Sequence, residues 1–388
     1  MTAARAIATF RDPSGSLTLQ DDYAVRRIHP FARLSTLELI QSAFYRRMLG
    51  RGDVVATAVE ADDANGLLLQ HPLVPVPTYP WEWTPSQWLA AAELTLNLCE
   101  EALAEGWIMK DATPLNILFI GAHPVLVDVL SFERLDPASS LWLAQGQYIR
   151  TFLLPLLMQR LCGWPLALSL FHRDGYEPAE IYRSLSWRKR LSRTALWPIT
   201  LPAWLEGRKP SAAQTSSWNS DPELNLSILK RMLKRLRTRT RRAITATATS
   251  SWSAYQESRS HYTAEQNGQK QQWVRQVLRE LQPARVLDIG ANTGEFSAMA
   301  AAMGIHVTAL ERDAASAENI FRMSHEQQLP IQTIQADIAR PTPPAGWDNG
   351  ESSALLERLE DRFELVLMLA VVHHLLLTDQ IPLREIIA

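Results

Sequence analysis

Cysteine is nearly absent: 388 residues hold two, Cys99 and Cys162. That excludes a disulfide framework and a cysteine-based zinc centre, and it suits a reducing, cytoplasmic setting. An excess of charge of one sign is also missing, since 39 Lys and Arg face 41 Asp and Glu for a net charge of −2. Such a chain has no global attraction for nucleic acid or anionic lipid, so nucleic acid is not the expected partner and any such binding would need a local patch. Long uninterrupted apolar runs are lacking too. Met1 to Gly15 is broken by Arg5, Arg11 and Asp12 and has no signal-peptide core. The most apolar stretch, Phe152 to Phe171, contains Pro155, Gln159, Arg160 and Pro165, which predicts a buried helical pair and no membrane span. No internal repeat is present.

What remains is the balance of a globular protein, 46% hydrophobic and 21% charged, with length for two to three domains. Three regions separate by composition: 1–205, which holds most of the tryptophans; 206–254, a Ser/Ala/Thr-rich linker with a basic helix; and 255–388. In the middle region Leu226, Leu229, Leu233 and Leu236 recur at helical spacing, and Lys230, Arg231, Lys234, Arg235, Arg237, Arg239, Arg241 and Arg242 make that helix strongly positive. No aromatic residue interrupts the basic run, so the stacking expected of single-strand binding is missing and a solvated interdomain helix is expected.

The last region alternates strand and helix. Arg285–Ile289 is a short apolar run that reaches a Gly-bounded turn, Gly290 to Gly294; Phe296–Met303 reads as a helix closed by Gly304. Further strands are expected at Ile305–Leu310, at Ile331–Ala336 and at Phe363–Val372, the last nearly all apolar. This pattern predicts a parallel, doubly wound sheet. A Gly-rich strand-to-helix turn is by itself a weak nucleotide signal. Here Asp288 stands at its mouth, where a carboxylate repels a pyrophosphate and attracts a cation. Glu311 ends the next strand, at the spacing from which an acid bonds ribose hydroxyls. S-adenosylmethionine (SAM), with its ammonium and sulfonium, suits these acids better than a dinucleotide does.

These residues resemble the class I SAM-dependent methyltransferases. Asp288, Gly290, Asn292 and Gly294 correspond to the family's first motif, and Glu311 to its ribose-holding acid. Asp337 with Ile338 stands where the family reads adenine. Leu369 to His374 resembles the end of the fourth strand, which borders the methyl group; the resemblance therefore implies cofactor contact at Ala370 and makes His373 and His374 the candidate catalytic pair, a neutral imidazole being a competent general base. No metal is needed for methyl transfer. The implied fold is α/β, a Rossmann-like doubly wound sheet of seven strands, and the chain ends at Ala388 soon after the fourth, so this domain is expected to be incomplete at its C-terminus. Trp347, Asp348 and Asn349 are expected in a loop that contacts substrate.

In the first region Asp111, then Asn116, then Asp128 after an apolar run resemble the catalytic loop and metal site of the protein-kinase and aminoglycoside-phosphotransferase fold. The resemblance implies an N-terminal α+β kinase-like domain in which Asp111 takes the acceptor proton while Asn116 and Asp128 hold magnesium on ATP. A hairpin between Ile117 and Val127 would bring them together. The pattern departs from the family in having no Gly-rich loop and no lysine before Lys110; Arg26 or Arg27 would have to replace that lysine, with Glu38 as a partner. The expected function is methyl transfer from SAM to an oxygen or nitrogen acceptor, a small molecule or glycan. A bifunctional kinase-methyltransferase acting on a glycan, and a non-catalytic interaction module with a vestigial SAM site, are the alternatives. Oligomeric state is not legible.

Overall fold

The computed structural model describes residues 5–7, 12–20, 22–206, 221–244 and 264–387. Most of the expected linker (207–220), the residues after the basic helix (245–254) and the expected start of the last region near Tyr255 lie outside the described residues. The chain divides into two compact units, one of Met1–Leu73, Trp88–Leu118 and Pro124–Thr245, the other of Val74–Gln87, Phe119–His123 and Ala246–Ala388.

The first unit opens with a five-stranded antiparallel sheet in the order β1-β2-β3-β5-β4, formed by β1 (Arg5–Ile7), β2 (Gly15–Leu19), β3 (Tyr23–Ile28), β4 (Ala58–Asp63) and β5 (Gly66–Pro72). Two helices, Pro30–Gln41 and Ala43–Arg51, connect β3 to β4. Further on, β6 (Trp107–Met109) pairs with β9 (Phe132–Arg134), and between them β7 (Ile117–Ile120) and β8 (His123–Leu126) form the expected hairpin. The apolar stretch is helical over Ile149–Leu153 and Leu154–Cys162, and Phe152 to Met158 lie in the core. Among the described residues no helix is long and apolar enough to cross a membrane.

The basic helix spans Pro222–Ala243, started by Asp221, whose carboxylate accepts the N–H groups of Glu223 and Leu224, and by Pro222 in the first turn. It is not a solvated connector. Leu229, Leu233, Leu236, Thr240 and Ala243 form a buried stripe, and the Thr240 hydroxyl lies 3.0 Å from that of Tyr148. The leucine periodicity, which the charges around it disguise, explains the difference.

The second unit is built on a parallel sheet in the order β12-β11-β10-β13, from β10 (Arg285–Ile289), β11 (His306–Glu311), β12 (Ile331–Gln335) and β13 (Leu365–Leu367). Its helices include Ala264–Leu281, Glu295–Ala302 and Ala314–Glu326. The fourth strand is much shorter than its apolar run predicts. After Leu367 the backbone turns, Ala370 adopts φ +64°, and Val372–Leu377 is helical. Leu369 and Val371 still pack against the core clusters, so the apolar run records burial in a turn as well as in a strand.

Residues 74–87, with the short segment 119–123, complete this unit. Val76 packs with Leu287, Ile289, Leu310 and Ile334, and its carbonyl accepts Gln332 Nε2 at 2.5 Å. Glu82 and Arg358 form a bidentate ion pair with side chains 0% and 3% exposed, and Arg358 Nη1 also donates to the Pro77 carbonyl. Thr342 donates to the same carboxylate.

Candidate cofactor site

The ends of β10 and β11 open on a cavity of about 740 Å³. Asp288, Gly290, Asn292, Glu311, Asp337, Ile338, Ala370, His373 and His374 all line it. Gly294 does not. It caps the helix Glu295–Ala302 at φ +83°, and a Cβ there would meet Ile320 and Met323 at 3.0 and 3.1 Å, so its part is to seat that helix. Trp347, Asp348 and Asn349 stand outside the cavity wall.

Parallel strands side by side carry their terminal acids to one edge: Asp288 on β10 is in register with Ala309 of β11, and Glu311 lies two residues beyond. Asp288 is buried and accepts the Ser297 hydroxyl at 2.6 Å. Burial pushes its carboxyl up to about 6, with the Glu311 charge adding to the rise and Ser297 and Lys270 opposing it. Glu311 is raised as well, chiefly by burial. Its two oxygens accept the Asn292 and Asp313 N–H groups, each at 2.7 Å. Between the acids, Gly290 has φ +68°, and a Cβ on it would stand 2.4 Å from Val371 Cγ2; the turn closes this tightly only with glycine. Asn292 follows at φ +51°.

Asp337 is more engaged than the sequence suggests. It accepts the Ala339 N–H at 3.0 Å and faces Arg340 at 3.2 Å and Arg312 at 3.7 Å. His373 and His374 lie on the helix after the turn, not on a strand, with ring centroids 4.0 Å apart. Burial, then the neighbouring His373, lowers the His374 pKa, which favours its neutral form near pH 7. Lining residues that sequence reasoning missed are Asn267 and Lys270, from the helix before β10, and Phe296, Ser316 and Asp379. No spacing rule marks them, because packing alone brings that helix to the cavity.

The residues fit SAM. Two buried acids await cationic and hydroxyl groups, and the Asn292 Oδ1 and Ser316 Oγ atoms at the wall are buried without a hydrogen-bond partner.

The second expected site, in the first unit, brings Asn116 and Asp128 together through Ser131: Asn116 Nδ2 donates to Ser131 Oγ at 3.0 Å, which donates to Asp128 Oδ2 at 2.9 Å. Burial, then the Asp128 charge, raises the Asp111 pKa. Asp128 Oδ1 is held by Arg26 Nη1 at 2.8 Å, both side chains nearly buried. Glu38 pairs with Arg134 and is not the partner of Arg26. A magnesium-binding acid whose oxygen is already taken by a guanidinium does not fit Mg-ATP.

Residues 256–361 match the family model described as tellurite resistance protein TehB. Over 397 aligned positions the chain is 27% identical to the nodulation protein NoeA of Rhizobium meliloti (strain 1021), covering 99% of this chain and 82% of that protein. Among solved structures, one of WbdD superposes with a TM-score of 0.29 at 15% identity, covering 50% of this chain and 49% of that one, so the chain spans about half the length of that structure. The Cydia pomonella granulovirus kinase PK-1 superposes with a TM-score of 0.26 at 7% identity, covering 63% and 89%. Superpositions this loose bear on neither activity nor substrate. At the level of family, the C-terminal region is methyltransferase-like.

Proposed function

We propose that the cavity binds SAM and that the chain transfers its methyl group to an oxygen or nitrogen acceptor on a small molecule or glycan. The observation that carries this reading is the pair of buried acids, Asp288 and Glu311, converging with the Gly290 turn on one cavity. Bound SAM supplies a methyl group already activated on a sulfonium. The chain's own residues bind and orient. Asp288 draws the ammonium, and Glu311, whose oxygens keep lone pairs beyond the backbone bonds they accept, takes the ribose hydroxyls. Asp337 and Ile338 border the adenine, and Ala370 closes the wall beside the methyl group. Either His373 or His374 accepts the proton that the acceptor loses, and positioning of the two partners does the rest.

We assign methyl transfer to 255–388, completed by residues 74–87, with the rest of 1–205 as an associated domain and 206–254 as linker and basic helix. The two free thiols, Cys99 and Cys162, support a reducing, cytoplasmic setting. Calorimetric titration of SAM into the full chain tests the cofactor assignment: saturable binding is expected, weakened about 10- to 100-fold in Asp288→Ala, the usual range for losing a hydrogen bond to a charged group. No binding by the folded wild-type chain would reject it.

A further inference from the structure

The basic helix has two charged faces that differ in what they meet. Arg237 donates to Asn97 at 2.7 Å and to Glu100 at 2.9 Å, and Arg241 is paired with Glu93. Those guanidiniums are neutralised within their own unit. Arg231, Arg235 and Arg239 follow at intervals of four and share another side of the helix. Together with Gln145, Trp197 and Met232 they line a groove of about 350 Å³ whose wall contains no acid. Arg239 lies over the Trp197 ring, 3.6 Å from its centroid, which fixes the plane of its guanidinium.

Like charges four apart on a helix repel. Arg239 feels this directly, since burial and the Arg235 charge both lower its pKa. The sequence flanking the helix offers little to offset the three charges: 207–220 has no acid and 245–263 has one, Glu257. A planar guanidinium presents paired N–H donors that match the oxygens of a tetrahedral oxyanion, and three of them line one groove wall.

We propose that this groove binds a phosphate or sulfate monoester carried on a small polar molecule. The test titrates inorganic phosphate and, separately, inorganic sulfate into the full chain, and compares Arg235→Gln and Arg239→Gln with Lys234→Gln, whose side chain lies on the same helix outside the groove wall. Saturable binding of either anion is expected, weakened at least about tenfold in both arginine variants and less than about twofold in Lys234→Gln. Preference for one anion identifies the ester. Thermal denaturation gives a second reading: Arg235→Gln relieves repulsion, so it should melt no lower than wild type without anion and lose the anion-induced rise in Tm. The proposal is overturned if neither anion binds saturably. It is overturned equally if Lys234→Gln loses as much as Arg235→Gln, for these anions or for a single-stranded oligonucleotide, because the helix would then be a diffuse polyanion face.

Discussion

At the residue scale, the proposed cofactor site turns on Asp288. Its carboxyl is raised to about 6 in the fold, against about 3.9 in an unfolded chain. The folded state therefore binds more protons than the unfolded state between those values, and stability without cofactor falls as pH rises from about 4 through 6. Cofactor affinity runs the other way. In the proposed complex only the ionised carboxylate attracts the SAM ammonium, and that amine loses its proton near pH 8, about 7.7–8.0 for an α-amino group. Titrations from pH 5 to 9 should show tightest SAM binding between about pH 6 and 8, with the acidic limb absent in Asp288→Asn; an unchanged acidic limb would detach it from this carboxyl. Two neighbouring backbone positions make opposite predictions. Gly290→Ala forces a Cβ against Val371 at φ +68° and should abolish SAM binding, partly restored by adding Val371→Ala. Ala370→Gly removes a left-handed alanine and should raise the unit's stability by about 0.5–1 kcal/mol in urea denaturation.

At the element scale, the basic helix shows how a charged sequence hides a packed one. Leu229, Leu233 and Leu236 are buried at 0–1% exposure, so Leu233→Ala should cost about 2–5 kcal/mol. Asp221→Ala, which removes the N-cap, should cost about 0.5–2 kcal/mol. Chemical denaturation measures both, and a near-zero cost for Leu233→Ala would mean that the helix is a solvated connector after all. The helical period is readable from the sequence because it is local, whereas Asp221-Pro222, which reads as the end of the linker, turns out to start the helix. The fate of the Phe363–Val372 run was not readable, since Leu369 and Val371 meet the demand for burial from a turn.

At the scale of the whole molecule, the C-terminal unit is not contiguous in sequence. Val74–Gln87 enters it through the Glu82–Arg358 pair, Val76 in the core, and Gln87 Nε2 donating to the Thr333 carbonyl at 3.1 Å. Removing one member of a buried ion pair leaves an uncompensated charge, so Arg358→Met should destabilise the unit by about 3–5 kcal/mol, and Glu82→Leu added to it should recover most of that loss. A chain of residues 264–388 alone should lack protected amides in hydrogen exchange, and adding a peptide of residues 74–87 should restore protection. Native-like exchange without the peptide would show that the segment is dispensable.

The parallel sheet and the acids at its edge are legible without a structure, because an apolar strand and the acid that ends it are written within a few positions of one another. Asp288 and Glu311, some twenty residues apart, could be assigned together on that ground. The hairpin that joins Asn116 to Asp128 is legible in the same way. The rest emerges only on folding: Lys270 at the cavity, Arg26 on Asp128, and Glu82 beneath Arg358 across 276 positions of chain. Those partners meet through packing of distant segments, and a buried charge gives no sign in the sequence of which opposite charge will cover it.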